Sequence, residues 1–275
     1  MPPQAVAEVL KAARELGLDR FDAELLLTEC CGLTRSQIVS RPETGLTADM
    51  AQRYLDWVRR RASGEPVAYI TGHKGFMDVE LEVTPAVLIP RPETELLVTT
   101  ALELGADHAQ VVDLGTGSGA IALALAVARP GWHIVATDLS PAALEVARRN
   151  MRRIAPDRVE MILSDWFEAL GSMTFDLIVA NPPYIAPGDQ DLAEDVAQYE
   201  PAEALFAGQD GQDALAELAQ AAPKRLRRGG WILLEHGHRQ GAGVRRMLAR
   251  AQLEAIRTLT DAAHLERVTI ARRTA

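Results

Sequence analysis

From Pro92 onward the chain alternates short, continuously apolar segments with longer stretches of helical periodicity, and no other feature constrains its fold as tightly. The segments QVVDLG, HIVATD, VEMILSD, FDLIVAN, GGWILLEHG and ERVTIARR read as strands. A strand covered on one face alternates apolar and polar residues. These run apolar nearly throughout, so helices are expected on both faces. The expected fold class is α/β, a doubly wound, mostly parallel sheet. Such sheets hold ligands in the crevice outside the carboxyl ends of their strands.

The first of those ends carries a glycine loop. In VVDLGTGSGAIALALA, Gly115, Gly117 and Gly119 lie between a strand and an alanine-rich helix. Glycine permits positive φ and close backbone approach, and the helix start offers unpaired N–H groups to a polar ligand. The next strand ends at Asp138, about 20 residues on, where a carboxylate can accept both hydroxyls of a ribose. Ser140 and Pro141 cap and start the following helix. The third strand ends at Asp165-Trp166, suited to bonding an adenine amine and covering its ring. An adenosine-bearing ligand is expected. Gly115, Gly117 and Ala120 also satisfy G-x-G-x-x-A, which leaves a nicotinamide dinucleotide as an alternative.

The fourth strand separates the two. It stops at Asn181-Pro182-Pro183-Tyr184. Asn181 and Pro182 each precede a proline and are driven into extended conformations, so the corner is stiff. The prolines supply no N–H. The Asn181 side-chain oxygen and the Pro182 carbonyl form a pair of acceptors matched to the two donors of an –NH2 group, and the Tyr184 ring can pack on a flat group that bears it. A dehydrogenase has no use for such a corner.

Before Pro92 the pattern differs. Val6, Val9, Leu10, Ala13 and Leu16 recur at helical spacing, and Gly17, Gly32 and Gly45 mark turns in a small helical domain. MDVELEV then alternates, with Met77, Val79, Leu81 and Val83 on one face, and Thr84-Pro85 is expected to turn it into AVLIP as a hairpin. The expected division is a helical domain over 1–74, a hairpin linker over 75–90 and a catalytic domain over 91–275. The 275 residues are 48% hydrophobic and carry a formal net charge of −9, which disfavours a broad surface for nucleic acid. Cys30 and Cys31 are adjacent and read as packing residues of a reducing compartment, and the six histidines show no zinc spacing, so no metal is expected. No signal peptide or membrane span is apparent, and the expected location is cytoplasmic.

Arg91, Glu93 and Glu95 around Pro92 read as a helix start, and Lys224–Gly230 as a solvated helix end with a glycine cap. Tyr199, Glu200, Glu235, His236 and His238 are candidates to line or support the pocket.

At NPPY the chain resembles class I S-adenosylmethionine-dependent methyltransferases that act on a planar nitrogen. AYITGHKGFMDVELEVTPAVLIPRPETELLV, DLGTGSGAIALALA, VANPPYI, YEPAEALFAGQDG and LLEHG together resemble the bacterial release-factor glutamine methyltransferases over nearly the whole chain. The resemblance implies a seven-stranded Rossmann-like sheet, S-adenosylmethionine as methyl donor and peptide chain release factors as protein substrates, modified at the glutamine of a Gly-Gly-Gln motif. It implies that Gly115, Thr116, Gly117, Ser118 and Gly119 bind the methionine part of the donor, that Asp138, Asp165, Trp166 and Asn181 also border it, and that Asp113 faces its amino end. Asn181, Pro182, Pro183 and Tyr184 would bind the target amide, with Asn181, Pro182 and Tyr184 as the catalytic residues. A methyltransferase for the exocyclic amine of a nucleic-acid base is the main alternative, and a binding module with a vestigial sheet a lesser one.

Overall fold

The structure, a computed structural model, describes residues 4–274, which divide into two compact units, one formed by residues up to 73 with 194–199 and the other by 74–193 with the residues from 200 on.

The first unit is helical. A two-residue strand β1 (Gln4–Ala5) pairs antiparallel with β2 (Gly45–Leu46), and between and after them come α1 (Val6–Glu15), α2 (Arg20–Cys31), α3 (Arg35–Ser40), α4 (Ala48–Ala62) and α5 (Val67–Thr71). Each start is specified locally: Asp19, Thr34 and Thr47 accept the N–H three residues on, at the heads of α2, α3 and α4. Gly32 ends α2 in the left-handed region, φ 66°. Val6, Val9, Leu26, Leu27, Tyr54 and Val58 fill the core, and the Tyr54 hydroxyl donates to the Ala23 carbonyl. Cys30 is buried and Cys31 half-buried, and the Arg53 Nε donates to Cys30 Sγ. Tyr199 belongs to this unit, its hydroxyl donating to the Ser63 carbonyl.

The second unit begins with a strand pair, β3 (His73–Phe76, its first residue in the helical unit) and β4 (Val79–Glu82). Val79, Leu81 and Val83 are buried, as their alternation predicts. The hairpin's turn lies at Met77-Asp78, with Met77 at φ 49°, while Thr84-Pro85 opens a separate turn, closed by the Val87 N–H to the Thr84 carbonyl at 3.0 Å, after which AVLIP forms no strand. The glutamate of the next helix explains why the chain turns early: the Met77 N–H donates to Glu95 Oε1, which satisfies the turn from outside the hairpin.

Pro92–Thr94 then forms one 3-10 turn that leads into α6 (Glu95–Leu104). The sheet and its helices follow in alternation: β5 (Gln110–Leu114), α7 (Ala120–Ala128), β6 (His133–Asp138), α8 (Pro141–Ile154), β7 (Val159–Leu163), β8 (Phe175–Ala180), the short α9 (Glu194–Tyr199, of the first unit) and α10 (Ala202–Leu205), α11 (Asp213–Arg225), β9 (Leu226–Glu235), α12 (Gly241–Arg250), β10 (Glu254–Thr260) and β11 (Glu266–Arg272). The strand order is β10-β11-β9-β8-β5-β6-β7, with β5 to β9 parallel and β11 antiparallel to both its neighbours, β9 and β10. This is the doubly wound, seven-stranded class I methyltransferase sheet.

Successive residues of the central strands feed opposite faces. Leu177 and Val179 pack with α6 and α7, and Ile178 and Ala180 pack with α11 and α12. That two-sided burial is why β8 reads as an unbroken apolar run. One assignment is corrected here. Lys224–Gly230 is not a capped helix end: α11 stops at Arg225 and β9 starts at Leu226. A Cβ on Gly230 would lie 2.9 Å from the Asp176 carbonyl oxygen, so glycine is there to let β9 bulge against β8, where the register slips between Phe175 and Leu177. The seventh strand, β10, was not visible as a segment.

Candidate active site

The chain leaves β5 toward β6 and β7, then crosses back to β8 on the other side of β5, so the sheet reverses between β5 and β8. Leu114 pairs with Ala180 across that switch point. The next residue on each strand is therefore Gly115 or Asn181, and the glycine loop and the proline corner emerge side by side at the place where open α/β sheets hold ligands.

The loop is shaped by its three glycines, all with positive φ (73°, 56° and 86°). The Gly115 and Thr116 N–H groups donate to the Thr137 carbonyl at 2.9 and 2.8 Å, which pins the loop to the end of β6. Behind it sits Asp113, fully buried. Its Oδ2 accepts from the Thr116 hydroxyl at 2.6 Å and from the Ala122 N–H at 3.2 Å, while its Oδ1 has no partner among the described residues. Burial outweighs those bonds and pushes the Asp113 carboxyl up to about 7. The Thr116 hydroxyl thus points inward, toward Asp113. Ser118 is buried, and its carbonyl accepts from Asn150 Nδ2, which also bonds the Glu82 carbonyl. Asn150 braces the loop and escaped the sequence reading. A Cβ at Gly117 would meet nothing within 4 Å, so the loop is open on that side.

Asp138 closes the loop from β6. Its Oδ2 accepts from the Gly117 N–H at 2.8 Å and its Oδ1 from the Ser140 N–H at 2.9 Å. A carboxylate offers about four lone-pair sites, so each oxygen keeps one for a further donor. Burial raises the Asp138 carboxyl above the usual range against the pull of those two N–H groups. Trp166 adopts φ 37° and lays its ring on the loop, with Cζ3 3.4 Å from where a Gly115 Cβ would stand. A strained backbone that faces a crevice is typical of functional positions. Asp165 beside it is exposed.

At the corner, Asn181 Nδ2 donates to Thr94 Oγ1 at 3.2 Å. Among the described residues nothing donates to Asn181 Oδ1 or to the Pro182 carbonyl. Both oxygens are thus unengaged. Gln240 Nε2 donates to the Tyr184 carbonyl at 2.9 Å and holds the far side of the corner. Burial raises the Tyr184 hydroxyl, so it stays protonated.

The remaining candidates sort by contact. Glu200 is buried and accepts from the Ile89 N–H and from Arg91, so it ties down the segment before Thr94. His236 is buried between the Gly237 carbonyl and the Thr269 hydroxyl, and burial lowers its imidazole. Glu235 is fully buried at the end of β9, next to the corner. The Pro92 segment does start a helix, yet it also delivers Thr94 to Asn181, a role that sequence reasoning missed. Among the described residues no group of three or more histidines, cysteines and carboxylates could hold a metal ion, and no helix is long and apolar enough to cross a membrane.

Comparison with known proteins adds the lineage. Residues 92–203 match the methyltransferase small domain, and residues 4–72 match the PrmC N-terminal domain. Solved structures of a methyltransferase from Pyrococcus furiosus (17% identity, 83% of this chain and 100% of that one, TM-score 0.56) and of the Thermus thermophilus 16S rRNA N2 G1207 methyltransferase in complex with AdoMet and guanosine (24% identity, 73% and 49%, TM-score 0.53) share the fold. Proteins named release factor glutamine methyltransferase are 48% identical in Pseudomonas aeruginosa (91% of each chain), 45% in Xylella fastidiosa strain Temecula1 (98% of each) and 41% in Escherichia coli K12 (92% of each). Relatives this similar over nearly their whole length leave one assignment: the chain belongs to the release factor glutamine methyltransferase family.

Proposed function

We propose that the protein transfers a methyl group from S-adenosylmethionine to the side-chain amide nitrogen, N5, of the glutamine in the Gly-Gly-Gln motif of peptide chain release factors. One observation carries this reading: Asn181 gives its Nδ2 to Thr94 and keeps Oδ1 unengaged, beside the Pro182 carbonyl and one strand from the glycine loop.

The donor fits the residues around the loop. Asp113 Oδ1 is buried and unpartnered, Gly117 is open where a side chain would otherwise stand, and Asp138 retains acceptor capacity. The Gly115–Gly119 main chain would hold its methionine part, Asp138 its ribose, and Trp166 with Asp165 its adenine. When bound, it supplies an electrophilic methyl on a sulfonium sulfur.

A carboxamide nitrogen is a weak nucleophile because its lone pair is delocalised into the carbonyl. Asn181 Oδ1 and the Pro182 carbonyl each accept one of its N–H bonds and leave its third lobe for the methyl. As the N–CH3 bond forms at the expense of the S–CH3 bond, the nitrogen gains positive charge, which two fixed oxygens stabilise more than they stabilise the neutral amide without reorganisation of the stiff corner, and the product forms when one N–H proton is lost from the nitrogen. Pro183 keeps that corner extended, and the Tyr184 ring packs against the flat amide.

The test is a labelled-methyl assay with purified release factor, the same factor with its Gly-Gly-Gln glutamine replaced, and ribosomal RNA. Label on the intact factor alone is expected. Label on the RNA, or on the altered factor, would overturn the substrate assignment.

A further inference from the structure

Three adjacent parallel strands end at the site, and the third holds a carboxylate for which the reaction above has no use. Leu234 pairs with Ala180, so Glu235 follows on β9 as Asn181 follows on β8. Glu235 has no exposed surface, and neither of its carboxylate oxygens has a partner at hydrogen-bonding geometry among the described residues. An ionisable group sealed without a partner costs several kcal/mol and calls for an explanation.

Its surroundings supply one. The hydroxyls of Thr94 and Tyr184 favour its charged form, as does Arg267 on β11, while Glu93 opposes it. Arg267 is itself held by Asp261, and His236, the next residue, is committed to Gly237 and Thr269. Arg91, which acts on the Tyr184 hydroxyl, is held by Glu200. Thr94, which bonds Asn181, thus also lies close enough to Glu235 to favour its charged form, though not at hydrogen-bonding geometry in this structure. Its oxygen accepts from Asn181 Nδ2, and its own proton goes to no other group at hydrogen-bonding geometry.

A hydroxyl can give its proton to either neighbour, and a primary amide can present either its oxygen or its nitrogen. We infer that Glu235 is a positioning residue that sets which end of the Asn181 amide faces the substrate, acting through the Thr94 hydroxyl. An ionised carboxylate can only accept. It accepts a hydrogen bond from the Thr94 hydroxyl, whose oxygen must then accept from Asn181 Nδ2, and Oδ1 is turned outward to grip the target N–H. A protonated Glu235 can donate to Thr94 instead. Thr94 then donates toward Asn181, the amide flips, and the corner presents an –NH2 to an –NH2. Burial holds the Glu235 carboxyl up to about 7, so both states are accessible to experiment.

This inference rests on the proposed amide substrate, and two measurements on the full chain separate the two. The first needs no substrate: in 15N-labelled enzyme, the Asn181 side-chain NH2 resonances should shift with a midpoint near pH 7, and that step should vanish in E235Q and in T94V. The second is the pH profile of single-turnover methyl transfer to release factor. Wild type should lose rate as pH falls through about 7, E235Q should give a flat profile, T94V should be slower by about tenfold or more at every pH with cofactor KM unchanged, and T94S should restore the profile. Asn181 resonances that ignore pH, or that step equally in E235Q, would overturn the relay. Absence of transfer by wild type would overturn the substrate reading and leave the resonances to decide the relay.

Discussion

The Gly117 N–H donates to Asp138 Oδ2 at 2.8 Å, so one carboxylate both closes the glycine loop and faces the crevice it frames. Asp138→Ala removes a charged acceptor from two main-chain N–H groups and from the ribose of the proposed donor. A hydrogen bond to a charged group contributes about 1.5–3 kcal/mol. Donor affinity should fall by about 2 kcal/mol, while Asp138→Asn, which retains one acceptor, should fall less. Titration calorimetry checks this, and an unchanged Kd in Asp138→Ala would remove the residue from the ribose site.

Asn181→Ala deletes one of the two acceptors aimed at the amide without touching the loop. Loss of one preorganised polar contact to developing charge costs about 3 kcal/mol, or about a hundredfold in rate. Single-turnover transfer should slow by that factor and donor affinity should change little. A variant that turns over at the wild-type rate would leave the corner as a plain strand terminator.

The fold was legible where burial is two-sided. β5, β6, β8, β9 and β11 announce themselves because helices cover both faces and each carries a run of mostly apolar residues. β10 did not: as the edge strand its residues are exposed or half-buried, and EAIRTLT carries no core signal. Gly229 and Gly230 looked like a helix cap because glycine does both jobs, and only the approach of the Phe175 and Asp176 carbonyls shows which one it does here. In the site, residues next to their partners in sequence were readable, as with Gly115, Gly117 and Asn181-Pro182. Thr94 and Asn150 were not, because the groups they bond lie 87 and 32 residues away and single polar residues carry no periodicity.

Stability should depend on pH through the two sealed carboxyls. Burial pushes both Asp113 and Glu235 up to about 7, from ordinary values of 3.8 and 4.5. Between those limits the folded chain keeps protons that the unfolded chain has lost, so stability falls as pH rises through this window and levels off above about pH 7. Each pH unit of separation corresponds to about 1.4 kcal/mol, and each group should contribute a few kcal/mol. Glu24, held by Arg20 and Arg35 below the usual carboxylate range, and Asp261, held low by the Leu265 N–H and Arg267, oppose this in more acidic solution, and His236, whose imidazole burial lowers, opposes it below its ordinary value of 6.5, where the two raised carboxyls outweigh it. Urea midpoints should drop from about pH 5.5 to about pH 7.5, and Asp113→Asn or Glu235→Gln should flatten the drop. A rise over that range would contradict both assignments.

Gly211 should prove as important to the site as the residues that touch substrate. It sits at φ 71°, and an added Cβ would stand 2.3 Å from the Tyr184 carbonyl oxygen, 2.9 Å from its carbon and 3.0 Å from the Ala186 nitrogen. All three are backbone atoms and cannot swing aside, so Gly211→Ala must shift the corner. Overpacking of this kind costs about 1–3 kcal/mol, and its effect on transfer comes from moving the Pro182 carbonyl relative to Asn181 Oδ1. Gly188 gives the control. It lies in the same connection, also has positive φ (81°), and an added Cβ there meets nothing within 4 Å. Gly188→Ala carries backbone strain alone and should leave transfer near wild type, whereas Gly211→Ala should slow it at least about tenfold with donor affinity intact. Equal rates in the two variants would mean that the corner tolerates displacement, and that its stiffness does not set the geometry of the acceptors.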